Sequence, residues 1–167
     1  KTVGKSGAQF TSIQKAIDSF TEAELTDGTA DVVEILDSAE YDEQVVIGGL
    51  IADPDGTGQG EGYLNEVIEL AKKRDPFTLR GKDANNRPKI NPVTEGVSYG
   101  VFTNDPGDNF VATFSYMGKD ITVENVEILQ SSIIHDDQYG LNGQAGNCVF
   151  KNVLFAHSGD KQPGEAL

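Results

Sequence analysis

An all-β chain wound as a parallel β-helix, a solenoid of short strands, is what the sequence predicts, and three observations carry that expectation. The segments Ile121-Thr-Val-Glu-Asn-Val-Glu-Ile128 and Cys148-Val-Phe-Lys-Asn-Val-Leu-Phe155 repeat one pattern at an offset of 27 residues. In each copy the apolar alternation restarts one position early beyond an Asn (Asn125, Asn152). A strand has period two, so such a skip turns later side chains outward unless the backbone bends sharply there, and Asn tolerates the left-handed conformation a bend of this kind needs. Strands meeting at an Asn corner once per turn are the signature of stacked coils that bury their inner faces on one another. Two unrelated half-buried strands, each ending in an Asn turn, are the plain alternative.

The elements follow in chain order. Thr11-Ser-Ile-Gln14 has the form of a capping box and predicts a helix over about residues 11–20, with Ile13, Ala16, Ile17 and Phe20 on one apolar stripe. Such a stripe needs a partner, and the open end of a solenoid needs a cover, so the helix is expected to act as a cap. Val32–Leu36 and then Tyr41–Ile47 read as strands, followed by Phe77–Gly81 and a short Lys89-Ile90 strand after a polar turn. Residues 48–75 read as an insertion, opening in a glycine-rich loop and closing in an amphipathic helix that places Leu64, Val67, Ile68 and Ala71 on one face. No period is evident over 91–108, and Phe110–Phe114 is expected to re-enter the sheets.

The length of 167 residues suits one domain, here taken as 1–167. A start at Lys1 and a stop just after a strand lead us to expect a piece of a longer, processed protein. With 13 basic and 27 acidic residues the formal charge is −14, which disfavours nucleic acid and anionic membranes as partners. No apolar run approaches the roughly 20 residues that cross a bilayer, so no membrane insertion is expected. The single Cys148 sits at an inward strand position and reads as a small buried hydrophobe.

Three segments then resemble a known family. Gln9-Phe-Thr-Ser-Ile-Gln-Lys-Ala-Ile17, Tyr41-Asp-Glu-Gln-Val-Val-Ile47 and Phe77-Thr-Leu-Arg-Gly81 resemble the opening of pectin methylesterases and related pectin-lyase-like right-handed β-helix proteins, with their "F-T-T-I-Q-x-A-I", "Y-x-E-x-V-x-I" and "I-T-L-x-G" motifs. The resemblance implies a right-handed coil and an extracellular or cell-surface protein. Its implied partner is an acidic or esterified polysaccharide. Phe150-Lys-Asn-Val-Leu-Phe155 lies on the family's "F-Y-N-C-x-F-x-x-x-Q-D" segment and so places Asp160 at its catalytic acid and Gln138 near its oxyanion glutamine. Gly159 stands where that pattern has Gln, and an alternative alignment sets Leu154–Gly159 on an "L-Y-x-H-S-G" segment. In such an esterase a carboxylate attacks the ester carbonyl while amide donors stabilise the oxyanion.

Each candidate has a plainer reading beside it. Asp160 also reads as a solvated turn residue of Ser158–Lys161, and Gln138 as a surface amide. His157, Ser158 and Asp160 are sequence neighbours, which seldom face one another as a triad. Asp53 and Asp55 lie in a loop with oxygen ligands at alternate positions but with Leu64 where an EF-hand needs an acid; Asp136 and Asp137, beside His135, form a second candidate calcium arm. No Lys-Ser/Thr follows the glycines to make a phosphate cradle, no cofactor is assigned, and calcium is the candidate ion for these acidic segments. A rival to the carbohydrate reading is a non-catalytic structural or adhesive module that associates end to end through its open coils.

Overall fold

The computed structural model describes residues 1–43, 45–47, 70, 73–91, 114–116, 120–129, 133–135 and 148–156. Strands dominate, helices are few, and every strand pairing is parallel. Three sheets are formed. The first holds β1 (Thr2–Val3), β2 (Asp31–Ile35), β5 (Phe77–Gly81), β8 (Ile121–Glu124) and β11 (Cys148–Lys151) in that order; the second runs β3 (Glu40–Asp42), β6 (Lys89–Asn91), β9 (Glu127–Leu129), β12 (Leu154–Ala156). The third runs β4 (Val45–Ile47), β7 (Phe114–Tyr116), β10 (Ile133–His135). From β2 to β10 the chain therefore visits first, second and third sheet in a fixed order three times, and β11 and β12 begin the order again.

Burial follows the pleat. In the first sheet Val33, Leu79 and Val123 share one inward row and are fully buried, and Phe77 and Ile121 share the next. In the second, Tyr41, Ile90 and Ile128 align and are buried too. Parallel strands stacked this way bury one face of β2, β5 and β8 and of β3, β6 and β9 against their neighbours' side chains, and this apolar column is the main stabilising term.

The repeat read from the sequence is the register of the structure. Cys148 to Lys151 pair with Ile121 to Glu124, and Leu154 to Ala156 with Glu127 to Leu129, all at the same offset. Asn125 and Asn152 adopt φ of 57° and 52°, the left-handed corner that lets the apolar series skip a residue. Their side chains stack as well. Asn152 Nδ2 donates to Asn125 Oδ1 at 2.8 Å, and Asn125 Nδ2 donates to the Gly81 carbonyl at 3.2 Å. Gly81 holds the same corner one strand earlier, where a Cβ would overlap the Asn125 carbonyl oxygen and lie 2.7 Å from Pro88 Cδ.

The helix near the start differs from expectation in its boundaries. It spans α1 (Ile13–Asp18), with Ser12 rather than Thr11 as N-cap, accepting from the Lys15 amide at 3.2 Å. Gln14 does not reach back to close a box; its Nε2 donates to Asp18 Oδ1 at 2.8 Å. The reciprocal capping box occurs instead at Thr21 and Glu24, opening a second short helix, α2 (Glu22–Leu25). The apolar stripe holds, with Ile13 and Ala16 fully buried and Ile17 and Phe20 packed against the core; α1 lies on β1, β2 and β4.

Residues 41–47 form two strands in different sheets, not one. Tyr41, Glu43, Val45 and Ile47 share a parity, so a continuous strand would bury the Glu43 carboxylate among apolar side chains, a costly placement without donors. The chain bends there. Glu43 accepts from Ile13 N–H (2.8 Å), Gln14 N–H (3.0 Å) and Ser12 Oγ (2.7 Å), which supplies the first amides of α1 with an acceptor from the bend between β3 and β4. Of the expected insertion helix, residues 70 and 73 are helical and Arg74 N–H donates to the Leu70 carbonyl at 2.9 Å; the rest of 48–72 lies outside the described residues. No helix among the described residues is long and apolar enough to cross a membrane.

Candidate functional site

Outward positions of the first two sheets carry charge in an ordered way. By register Glu34, Arg80, Glu124 and Lys151 form one row across β2, β5, β8 and β11, and Glu40, Lys89 and Glu127 another across β3, β6 and β9. Arg80 closes on Glu34 with nitrogen–oxygen distances of 2.8 and 2.9 Å. The Asn corner lies between these two rows, after Glu124 and Lys151 and before Glu127 and Leu154, and the loop 82–88 is bonded to it.

That corner is built from amides and cations. Arg87 donates through Nη2 to Asn152 Oδ1, and Asn152 Nδ2 donates to the Ala84 carbonyl at 3.0 Å, so the loop is pinned two strands away from where it leaves β5. Asn85 N–H donates to Asp83 Oδ1 at 2.8 Å, an Asx turn that shapes the loop tip. Lys82, Asn85, Asn86, Lys151 and Asn152 are exposed; Arg87 and Lys89 are half-buried. Lys89 stands opposite Glu127 and Lys151 opposite Glu124, leaving Lys82 and Arg87 against Asp83. Glu40 also faces Lys89, and with the Arg80–Glu34 pair the described acids and bases around the corner balance, on a chain whose formal charge is −14. Arg87 Nε is buried without a hydrogen-bond partner. The exposed Asn85 and Asn86 amides and the Lys82 and Arg87 cations can hydrogen-bond hydroxyls and hold carboxylates.

A second polar group sits inside. Asp31 occupies the inward row of Phe77 and Ile121, and Arg74, returning from the 48–72 segment, is buried with it; they are 8% and 6% exposed. Asp31 Oδ2 and Arg74 Nε and Nη1 have no hydrogen-bond partners, and the Arg74 guanidinium lies 5.8 Å from the Phe77 ring centroid. Burial, with the charges of Asp27 and Asp75, raises the Asp31 pKa against the pull of Arg74; burial lowers that of Arg74 against the pull of Asp31. The sequence reading missed this pair. Its one signal was an acid in phase with the buried residues of β2.

Asp160, Gln138, Asp53, Asp55, Asp136 and Asp137 lie outside the described residues, as do His157 and Ser158. His135 is described as the last residue of β10 in its backbone only. Among the described residues no group of three or more His, Cys, Asp or Glu side chains is placed to hold a metal ion. Cys148 is half-buried, and burial pushes its thiol up to about 12, far from a reactive thiolate. The Asp37 carboxylate, raised by burial, is brought below its ordinary value by hydrogen bonds from Lys5 N–H, Tyr41 Oη and Ala39 N–H, so it acts as a structural hub.

No protein-family model matches the chain, and neither does any curated protein or solved structure.

Proposed function

We propose that the three sheets are the faces of a right-handed parallel β-helix and that the protein binds an acidic or partly esterified extracellular polysaccharide along the corner lined by Lys82, Arg87, Lys151 and Asn152. The cyclic order in which the chain visits the sheets supports the solenoid, and right-handed crossovers are the rule for parallel strands. The observation that carries the ligand class is the corner that sets the Lys82, Arg87 and Lys151 cations beside amides on a strongly acidic chain. A solenoid repeats its outer positions at the strand spacing, which suits a chain-like ligand with repeating carboxylates and hydroxyls. The resemblance of residues 9–81 to pectin-lyase-like proteins points to the same class, with pectinesterase or lyase chemistry as its catalytic form. In an esterase Asp160 serves as nucleophile with Gln138 at the oxyanion; in a lyase the acidic segments at Asp53, Asp55, Asp136 and Asp137 bind calcium.

Binding to immobilised polygalacturonate of graded methyl-esterification, at two salt concentrations, tests the ligand class. Binding that weakens with salt and falls severalfold in Arg87→Ala is expected; equal binding to a neutral glucan overturns it. Methanol release from methyl-esterified pectin and calcium-dependent formation of unsaturated product separate esterase from lyase, and an unchanged rate in Asp160→Asn removes that residue from the mechanism.

The second reading is a non-catalytic structural or adhesive module. It is favoured by exposed apolar side chains on the last described strands, Val149, Leu154 and Phe155.

A further inference from the structure

The outer face of the first sheet carries two rows in register. One is Glu34, Arg80, Glu124, Lys151; the other, nearer the strand starts, is Val32, Thr78, Thr122, Val149. The alternate positions of β2, β5 and β8 are buried, so the side chains of both rows point away from the core. They remain accessible: the Glu34 and Arg80 side chains are 27% and 42% exposed, Val149 is 46% exposed, and Val32, Thr78 and Thr122 are half-buried. This face is the flank of the stack, so a layer added at either end lengthens it without covering it.

Taken from β11 back to β2, each row is its own complement. Reversal sets Glu34 on Lys151 and Arg80 on Glu124, every acid on a base, and it sets Val32 on Val149 and Thr78 on Thr122, like on like. Charge alternation alone accounts for the first row, since neighbouring strands of one chain gain from it, and an alternating row has such a centre between any two strands. The second row has a single centre, between β5 and β8, and both rows reverse about it. A two-fold axis along the strand direction, midway between β5 and β8, turns the face onto itself in this way. The other two-fold in the plane, along the stacking direction, would set Glu34 of one copy on Glu34 or Val32 of the other. The second sheet lacks the symmetry, because reversing Glu40, Lys89, Glu127, Leu154 puts a carboxylate on Leu154.

We infer that this face is where two copies of the chain pack, sheet on sheet, as an isologous side-by-side dimer. Thr78 and Thr122 meet at its centre with Val32 and Val149 outside them, and each cation of the charged row gains an acid from the second copy. Four strands span roughly 19 Å, a smaller patch than a standard interface, so the dimer should dissociate at about 10–100 µM. The argument does not rest on the polysaccharide reading, and the contact uses the flank of the stack and not its ends.

Sedimentation equilibrium of the full chain, from about 5 to about 500 µM in about 0.15 M salt, where long-range repulsion between acidic copies is screened, should show monomer passing to dimer. Arg80→Glu sets acid on acid twice and Glu124→Arg sets base on base twice, so each variant alone should associate at least about tenfold more weakly. Mixed in equal amounts, the two variants form a heterodimer in which every pair is again opposite in sign, and association should return to that of the unaltered chain. Thr78→Arg, which wedges the centre without changing the charged row, should also separate the copies. A chain that stays monomeric at the highest concentration, a dimer that survives Arg80→Glu or Thr78→Arg, or no recovery on mixing overturns the inference.

Discussion

Replacing Gly81 by Ala tests the corner most directly. Gly81 carries no left-handed φ, so its requirement is spatial: the added Cβ overlaps the Asn125 carbonyl oxygen and lies 2.7 Å from Pro88 Cδ. Neither neighbour is the free end of a flexible side chain. Relief means moving backbone that is itself fixed by the Asn125 Nδ2 bond to the Gly81 carbonyl and by Asn125 N–H donating to the Lys151 carbonyl at 3.1 Å. Overpacking of this kind costs roughly 1–3 kcal/mol, and loss of the side-chain hydrogen bond adds about 1 kcal/mol. The expected loss, about 2–4 kcal/mol, is a large share of a domain stability of roughly 5–15 kcal/mol. Urea unfolding followed by far-UV circular dichroism reads it as a lower midpoint at unchanged slope. Asn125→Ala removes the hydrogen bond but keeps the carbonyl, so in that background Gly81→Ala should cost about 1 kcal/mol less, a coupling the double-mutant cycle isolates. A Gly81→Ala loss below about 0.5 kcal/mol, within the range of neutral surface changes, would show that the layers stack more loosely than described.

Three further outcomes are expected. Glu43→Ala should destabilise by about 1–3 kcal/mol, because it leaves Ile13 and Gln14 N–H without their charged acceptor; hydrogen exchange at those two amides should quicken ahead of the β-sheet amides. The Glu24 carboxyl is held down to about 2 by hydrogen bonds from Lys1 and from Thr21, so its contribution is full above its ordinary value of 4.5 and is lost as pH falls from there toward 2; Glu24→Gln should flatten the acid limb of a stability–pH curve over that window. Cys148 should react with iodoacetamide at pH 7.5 far more slowly than a free thiol and at the free rate in urea, since burial and not a nearby charge sets its pKa.

What the sequence made legible was whatever depended on a period. The 27-residue offset became the register of β11 on β8 and β12 on β9, and both Asn corners took the conformation the skipped alternation required. What escaped depended on partners far along the chain. Glu43 reads locally as one more residue of a strand, and only the arrival of α1 thirty residues earlier in sequence explains the bend. Asp31 and Arg74 lie on different elements far apart in the sequence, and nothing local says that they are buried together. Thr11 and Gln14 fit a capping template, yet Ser12 outcompetes Thr11 once Glu43 supplies the reciprocal acceptor. The site residues read from family resemblance fall on segments outside the description, whereas the amide and cation corner is assembled from the loop 82–88 and a strand some 65 residues later, a juxtaposition that only the fold creates.

The alternation of acid and base across the outer rows also limits how this architecture can change in length. Removing the single layer that contains β5 and β6 would bring Glu34 beside Glu124 and Glu40 beside Glu127, two like-charge contacts at once. Removing two layers restores opposite signs on the first sheet. Growth and loss by pairs of strands in each sheet is therefore the low-cost route for a chain of this kind, and a designer who lengthens it should duplicate two strands per sheet at a time.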